Sequence, residues 1–433
     1  MLRSTAMDYP DALQIEVTNR CNFNCQMCIR RVWDAKPADL NLDLYSKIAR
    51  STFQYLERLI LYGLGEPFLN PSFMDMLRIA RENLSKDSEI IVSTNGSMLD
   101  QRLIEKILRI GIDNISFSID TSDAVKLRHI RSGAEPESLL SNFRNMARVK
   151  RLSGNSFKLG VEAVLMKSNF MDLPKLVEEA AGEGVDYILV SHVVPYSESM
   201  FLDSVYVTIS KRSLDIAKPI LGYGKKIIAD AIYEAFGMIY GIEIEPKTSR
   251  IIDEFWREAE ENGYWINLPL LFESIGKISI ANEVEKMFDL SLKIAREHGV
   301  DLRLPNLYPD AKSRWCPYVD RGTMFIRSDG MITPCSEFAY EHTVYVNAHI
   351  KAVNPVIFGD SRSENIIDVW NKEEYVAFRE VRREMPKNIP WCGDCPYSSS
   401  KCFFAETNNF DCYLNKPGCS ECLYSVNLAQ CNI

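Results

Sequence analysis

Residues 13–28 read LQIEVTNRCNFNCQMC, a short β-rich run that gives way to a polar turn carrying Cys21, Cys25 and Cys28. Outward from it, five more β-rich runs follow: LERLILY (56–62), EIIVS (89–93), NISFSI (114–119), KLGVEAVLM (158–166) and YILVSHVV (187–194). Helical patterns near 41–55, 72–84, 100–110, 136–151 and 171–183 separate them. Pro71 and Pro174 stand where helix starts tolerate proline, and Gly111 and Gly184 stand just past helix ends. Strands that alternate with helices form βαβ units, hence a parallel sheet with right-handed crossovers. The fold class read from this is α/β, with the sheet either open or curled into a full or partial barrel. Either way, chemistry belongs at the carboxyl ends of the strands. The residues there are the three cysteines, 63–67, Thr94-Asn95-Gly96, Asp120 and Thr121, Ser168-Asn169, and Pro195-Tyr196. All these loops are polar or carry Gly or Pro, and the topology brings them to one rim.

The rest of the chain sets limits. Its 433 residues suggest two or three domains, and 46% apolar with 25% charged residues describe a globular protein. With 50 basic against 59 acidic residues and a net charge of −9, no nucleic-acid partner is expected. No uncharged apolar run is long enough to span a membrane, and the first residues lack the apolar core of an export signal. A cytoplasmic protein is expected. Residues 1–202 hold the strand–helix pattern. Residues 203–310 read as a helical insertion or linker, a possible lid or docking surface, in which Ile227, Ile228, Ala231, Ile232, Ala235, Phe236 and Ile239 share one face. Aromatics recur there at Tyr223, Tyr233, Tyr240, Phe255, Trp256, Tyr264 and Trp265. Residues 311–433 form the cysteine-rich end.

Cysteine placement carries the chemistry. Of twelve cysteines, three fall within eight residues, none between 29 and 315, and nine after that: Cys316, Cys335, Cys392, Cys395, Cys402, Cys412, Cys419, Cys422 and Cys431. Without an export signal, clustered thiols point to metal or redox work rather than a disulfide framework. Three thiolates on one short loop suit a corner of a [4Fe–4S] cubane, which normally takes four cysteines, so one iron keeps an open position for a chelating ligand. Zinc is the competing reading, although structural zinc favours four closed ligands, usually as two CxxC pairs.

The spacing CxxxCxxC after a first strand resembles the signature of the radical SAM superfamily, whose fold is a partial (β/α)6 TIM-type barrel. Met27 departs from it, because the residue before the last cysteine is commonly aromatic in that family. Other residues match in register. Gly65-Glu66-Pro67 resembles the segment that approaches the amino group of S-adenosylmethionine (SAM), and Ser93, Thr94, Asn95 and Gly96 resemble the turn below the nucleoside. Ser118 and Asp120 resemble the polar pair ending the fourth strand, and Arg131 the arginine that pairs with the SAM carboxylate. The resemblance implies an enzyme in which Cys21, Cys25 and Cys28 hold a [4Fe–4S] cluster that cleaves SAM to a 5′-deoxyadenosyl radical, which abstracts hydrogen from substrate. A ferredoxin or flavodoxin would supply the electron. His192, Glu162, Tyr196 and the loop at 318–321 lie near the rim without an assigned role.

The spacing Cys316-x13-Gly330-x4-Cys335, followed by Cys392-x2-Cys395-x6-Cys402, resembles the SPASM extension of this superfamily, which holds up to two auxiliary [4Fe–4S] clusters. The resemblance implies Cys316, Cys335 and Cys412 on one cluster, and Cys392, Cys395 and Cys402 on the other, completed by Cys431, Cys419 or Cys422. Nine thiols exceed the eight required, so at least one has another fate. Zinc on Cys392, Cys395, Cys419 and Cys422 is the alternative to one cluster. The stretches VEAVLMKSNFMDLPKL, RWCPYVDRGTMFIRSDGMITPC and DCYLNKPGCSECLYSVNLAQC resemble the SPASM subgroup of maturases associated with tungsten-dependent oxidoreductases. That implies work on a small-molecule cofactor or a protein in tungsten-pterin enzyme maturation. Two alternatives stand beside it: a SPASM enzyme that crosslinks a peptide or protein, and a non-catalytic iron–sulfur or zinc protein.

Overall fold

A computed structural model describes residues 9–154, 157–222, 224–245, 247–399 and 402–433, without the side chains of 235, 236, 238–240 and 249–251. All six expected strands form: β1 (Ala12–Ile15), β2 (Arg58–Ile60), β3 (Glu89–Thr94), β4 (Asn114–Ser118), β5 (Lys158–Leu165) and β6 (Tyr187–His192). They pair in sequence order and in parallel. Helices α1 (Leu42–Thr52), α2 (Phe73–Asn83), α3 (Gln101–Ile110), α4 (Ala124–Ile130), α5 (Pro136–Leu152) and α6 (Leu173–Glu183) fill the crossovers. Capping fixes several starts: Asn41 accepts from two backbone N–H groups ahead of α1, and Asp100 and Asp123 do the same work for α3 and α4.

The sheet is larger than the sequence pattern suggests. Strand β7 (Asp301–Arg303) adds in parallel beside β6, and β8 (Thr323–Ile326) adds in parallel to the free side of β1. Antiparallel β9 (Met331–Thr333) and β12 (Gly359–Asp360) extend that side. Between them β10 (His342–Val346) and β11 (His349–Val353) form a separate hairpin turned by Asn347 and Ala348, both at positive φ. The order is β12-β9-β8-β1-β2-β3-β4-β5-β6-β7, so the sheet wraps as a partial barrel with two edges.

Period-2 alternation separates its faces. Leu13, Leu59, Ile90, Val92, Ile115, Phe117, Leu159, Val161, Ile188 and Val190 pack outward with Phe73, Leu77, Ile104, Ile107, Met146 and Val177 of the helices. The alternate positions include Ser93, Ser116, Ser118, Glu162 and Ser191, which puts polar groups on the concave side. Gly160 makes room on that side for the Tyr187 ring, with which a Cβ there would clash.

Residues 203–310 hold α8 (Lys211–Gly222), α9 (Lys225–Tyr240), α10 (Ser249–Glu261) and the 31-residue α11 (Leu268–His298), preceded by α7 (Glu198–Leu202). Ile216, Ile220, Ile228, Ala231, Ile252 and Leu271 form a core of their own there. Of the expected apolar face, Ile228 and Ala231 are buried and Ile232 packs against them. The side chains of Ala235, Phe236, Ile239 and Tyr240, and all of Tyr223, lie outside the described residues. Helix α11 runs from this core to the barrel, where Val284, Phe288 and Ala295 join the main cluster. Among the described residues no helix is long and apolar enough to cross a membrane.

The last residues thread onto the concave face. The N–H of His192 donates to the Leu428 carbonyl (3.2 Å) and that of Gln430 to Ser191 Oγ (3.0 Å). Asn432 Nδ2 donates to Glu162 Oε1 (2.9 Å) and to Tyr187 Oη (2.8 Å), while Tyr62 Oη donates to the Asn432 carbonyl (2.7 Å).

Candidate active site and tail thiols

The three-cysteine loop leaves β1 at the rim and is stitched to the end of α4. The N–H of Asn24 donates to Ser132 O (2.7 Å) and that of Gln26 to Ile130 O (2.8 Å). Gly133, at φ +96°, lets these segments touch, because a Cβ there would press on Asn22 O at 3.1 Å. None of the twelve thiols is in a disulfide. Burial pushes the Cys25 thiol up to about 11, against the pull of Arg131, and the charges of Cys21 and Cys28 also reach it. Among the described residues no three His, Cys, Asp or Glu side chains converge on a point that would hold a single metal ion. A cubane instead takes its thiolates at separate iron corners, and an all-thiol donor set of this kind fits one.

The neighbouring loops lock together around this one. Glu66, 2% exposed, accepts from Thr94 Oγ1 (2.8 Å), Asn95 N (2.7 Å) and Phe68 N (3.3 Å), and burial raises its carboxyl to about 7. Its carboxylate is thus spent on the adjacent loop and not left for an ammonium. Gly65 lets its loop close on the extension of β1: a Cβ there would clash with Thr18 O and Arg20 O. Pro67 opens a short 3-10 turn behind Glu66. Asn95 Nδ2 donates to Asn22 Oδ1 (2.9 Å) and reaches Cys21 Sγ (3.7 Å), which joins the third-strand turn to the thiol loop. Gly96 N donates to Thr94 Oγ1.

Asp120 and Arg131, expected as separate contacts to ligand, pair with each other: Arg131 Nη2 meets Asp120 Oδ1 at 2.9 Å and Nε meets Oδ2 at 2.7 Å. No hydrogen bond given by the described residues uses Nη1 of Arg131. Arg131, Met27, Ser118, Glu162, Ser191, His192, Tyr196 and Tyr424 line a cavity of about 200 Å³ on the concave side. Glu162 points inward, and its partners are Ser93 Oγ (3.2 Å), Ser116 Oγ (2.5 Å) and Asn432, not Arg131. His192 donates through Nε2 to Asn306 O (3.0 Å), and burial lowers its pKa to about 3, so it is neutral. Tyr196 reaches Glu337 (3.4 Å), and Tyr318 donates to Gln14 (2.6 Å). Arg321 holds the Ile433 carbonyl at the far end of the barrel.

One structural carboxylate escaped the sequence reading. Glu16, fully buried in β1's extension, accepts from Leu64 N (3.0 Å), Ser328 Oγ (2.9 Å) and Tyr340 Oη, and thereby ties the thiol strand to the tail. Its signal, a carboxylate after an apolar strand, is shared by many exposed residues.

Cys316, Cys335, Cys419 and Cys422 line one cavity, as does Cys431, and the first four influence one another electrostatically. Cys412 is set beside Cys395 and Cys402, and Cys392 beside Cys395. Cys412 is exposed, whereas Cys419 is buried.

Residues 15–180 match the model of the Radical SAM superfamily, and residues 316–396 that of SPASM, an iron–sulfur cluster-binding domain. These matches give the chain a radical SAM domain followed by a SPASM domain and mark it as an enzyme. More particularly, it is 27% identical over 429 residues, 97% of each chain, to the tungsten-containing aldehyde ferredoxin oxidoreductase cofactor-modifying protein of Pyrococcus furiosus. In fold it is similar to Streptococcus suis SuiB bound to S-adenosylmethionine (TM-score 0.53, 13% identity, 86% of this chain and 68% of that one). A SuiB complex with its precursor peptide SuiA gives 0.52 at 12% identity, over 88% and 71%.

Proposed function

We propose that this enzyme acts by reductive SAM cleavage in the maturation of a tungsten-pterin oxidoreductase or of its cofactor. The observation that carries the maturation reading is the likeness to the tungsten enzyme's cofactor-modifying protein along nearly the whole of both chains. Cys21, Cys25 and Cys28 hold a [4Fe–4S] cluster. When bound there, the cluster supplies one electron to SAM, giving methionine and a 5′-deoxyadenosyl radical that takes hydrogen from substrate.

The chain's own groups orient and enclose. With SAM bound, the 65–67 turn would meet its amino group through backbone carbonyl oxygen, and Glu66 positions that turn by gripping Thr94 and Asn95. Arg131, aimed by Asp120, offers Nη1 to the carboxylate of SAM. Ser93 and Ser118 supply hydroxyls toward the ribose, and Met27 gives the adenine a thioether contact in place of an aromatic one. The 428–433 segment closes the chamber against water, which protects a reactive radical. The substrate is a small-molecule cofactor or the oxidoreductase that carries it, and a ferredoxin or flavodoxin delivers the electron. Twelve free thiols support a reducing, cytoplasmic setting.

The test is anaerobic incubation of the reconstituted enzyme with SAM, a one-electron reductant and an immature tungsten-pterin oxidoreductase. Formation of 5′-deoxyadenosine that rises with the oxidoreductase, and a mass change on that protein or its pterin, is the expected result. SAM cleavage stimulated only by a Cys-rich peptide would replace this substrate reading with peptide crosslinking.

A further inference from the structure

The chamber under the rim holds an anion that the protein leaves without a cation. Among the described residues that line it, the charged ones are Arg131 and Glu162. Arg131 is matched by Asp120 through two nitrogens. Glu162, half-buried, meets neutral donors: Oε1 accepts from Ser116 Oγ (2.5 Å) and Asn432 Nδ2 (2.9 Å), and Oε2 from Ser93 Oγ (3.2 Å). Arg303 lies over the Tyr187 ring (5.0 Å) and is held by Asp301 (2.7 Å). An ionised carboxylate offers about four acceptor positions. Three are taken here, and the one left belongs to Oε2. Such a charge, drawn out of water without a counter-ion, is costly unless a ligand donor completes it.

Depth and neighbours indicate which ligand. Glu162 stands beside Ser118 in register, yet its oxygens reach back to Ser116 and Ser93, which are paired with each other one layer further from the rim. The thiol loop and Arg131, which serve SAM in the proposed chemistry, are at the rim itself. Gln430 lines the same chamber. Its backbone N–H donates to Ser191 Oγ, and its side-chain amide has no hydrogen bond among the described residues. Tyr196 and Tyr424 add rings and hydroxyls. An ammonium brings donors alone, which would leave the amide N–H of Gln430 unanswered. A flat heterocycle with an amino group beside a lactam offers both kinds of partner.

We infer that Glu162 and Gln430 form a subsite for the 2-amino-4-oxopyrimidine edge of a pterin. Glu162 Oε2 takes an N–H of the exocyclic amino group, while the Gln430 amide pairs with the ring N–H and carbonyl of the lactam. The inference rests on the proposal that the substrate carries a pterin, and it names the residues that select that ring.

The experiment follows pterin fluorescence on titration of the anaerobically reconstituted full chain in the presence of SAM, beside 4-oxopteridine, which lacks the 2-amino group. The wild type should prefer pterin by about tenfold or more, because an analogue without the amino group leaves Glu162 unpaired. Glu162→Gln should weaken pterin binding on the order of tenfold to a hundredfold, hold 4-oxopteridine and SAM affinities within about twofold, and erase the preference. Gln430→Leu should weaken both pteridines. Iron content equal to that of the wild type shows that each variant is folded, and the wild-type preference is a test that needs no variant. Equal binding of pterin and 4-oxopteridine by the wild type overturns the subsite, as does pterin affinity unchanged in Glu162→Gln. Loss of SAM affinity as large as that for pterin would give Glu162 to SAM and also overturn it. A wild type that binds neither pteridine would instead overturn the pterin reading beneath it.

Discussion

Arg131 grips Asp120 through two nitrogens inside the barrel, with side-chain exposures of 9% and 0%. Asp120 also accepts from Val164 N (2.8 Å), so one carboxylate joins α4's end to β5. Breaking such a pair leaves a buried charge without compensation. Asp120→Asn keeps the shape and removes the anion, and should cost about 3–5 kcal/mol in a denaturant titration. The double variant Asp120→Asn with Arg131→Met should recover part of that loss, because the stranded cation is gone. SAM affinity should fall in both, since Nη1 is either misaimed or absent.

Glu66 gives a pH test. Its carboxyl is raised in the folded protein to about 7 from an ordinary 4.5. A raised acid favours its protonated form, so its contribution to stability is fully present below about 4.5 and lost as pH rises through about 7. The stability difference between the wild type and Glu66→Gln should therefore shrink by something on the order of 3 kcal/mol between pH 4.5 and pH 8. Unfolding free energies measured at both ends check it, and a pH-independent difference would contradict it.

Gly65→Ala separates two uses of that glycine. If its role is close packing on Thr18 and Arg20, the added methyl group should cost about 1–3 kcal/mol before any SAM is present. Differential scanning calorimetry of the SAM-free protein reads this directly. An unaltered melting temperature with weakened SAM binding would return the glycine to a ligand-facing role.

Much of the barrel was legible because β1 to β6 are short β-rich runs set apart by helical patterns, with prolines and glycines at the helix ends. The thiol loop, 65–67 and 93–96 were legible as rim loops, since topology alone delivers strand ends there. What escaped depends on partners distant in sequence. Strand β7 is three residues long, and β8 finds β1 across some three hundred residues of chain, so neither carries a local period. Nothing in the sequence announces Thr94, Asn95 and Asp120 as the partners that hold Glu66 and Arg131 in place. Likewise the spacing of Cys412 and Cys419 gives no hint that one is exposed and the other buried; that is decided by the fold between them.

Everything in the proposed chemistry begins at Cys25, the middle thiol of the rim loop. The direct measurement is 5′-deoxyadenosine formed from SAM, under strict anaerobiosis with a strong one-electron reductant, by the wild type and by Cys25→Ala with iron content determined on the same samples. The wild type should release 5′-deoxyadenosine and methionine together. Cys25→Ala should release none and lack about four irons. Release at the wild-type rate by Cys25→Ala would contradict the assignment of the loop as the SAM-cleaving site.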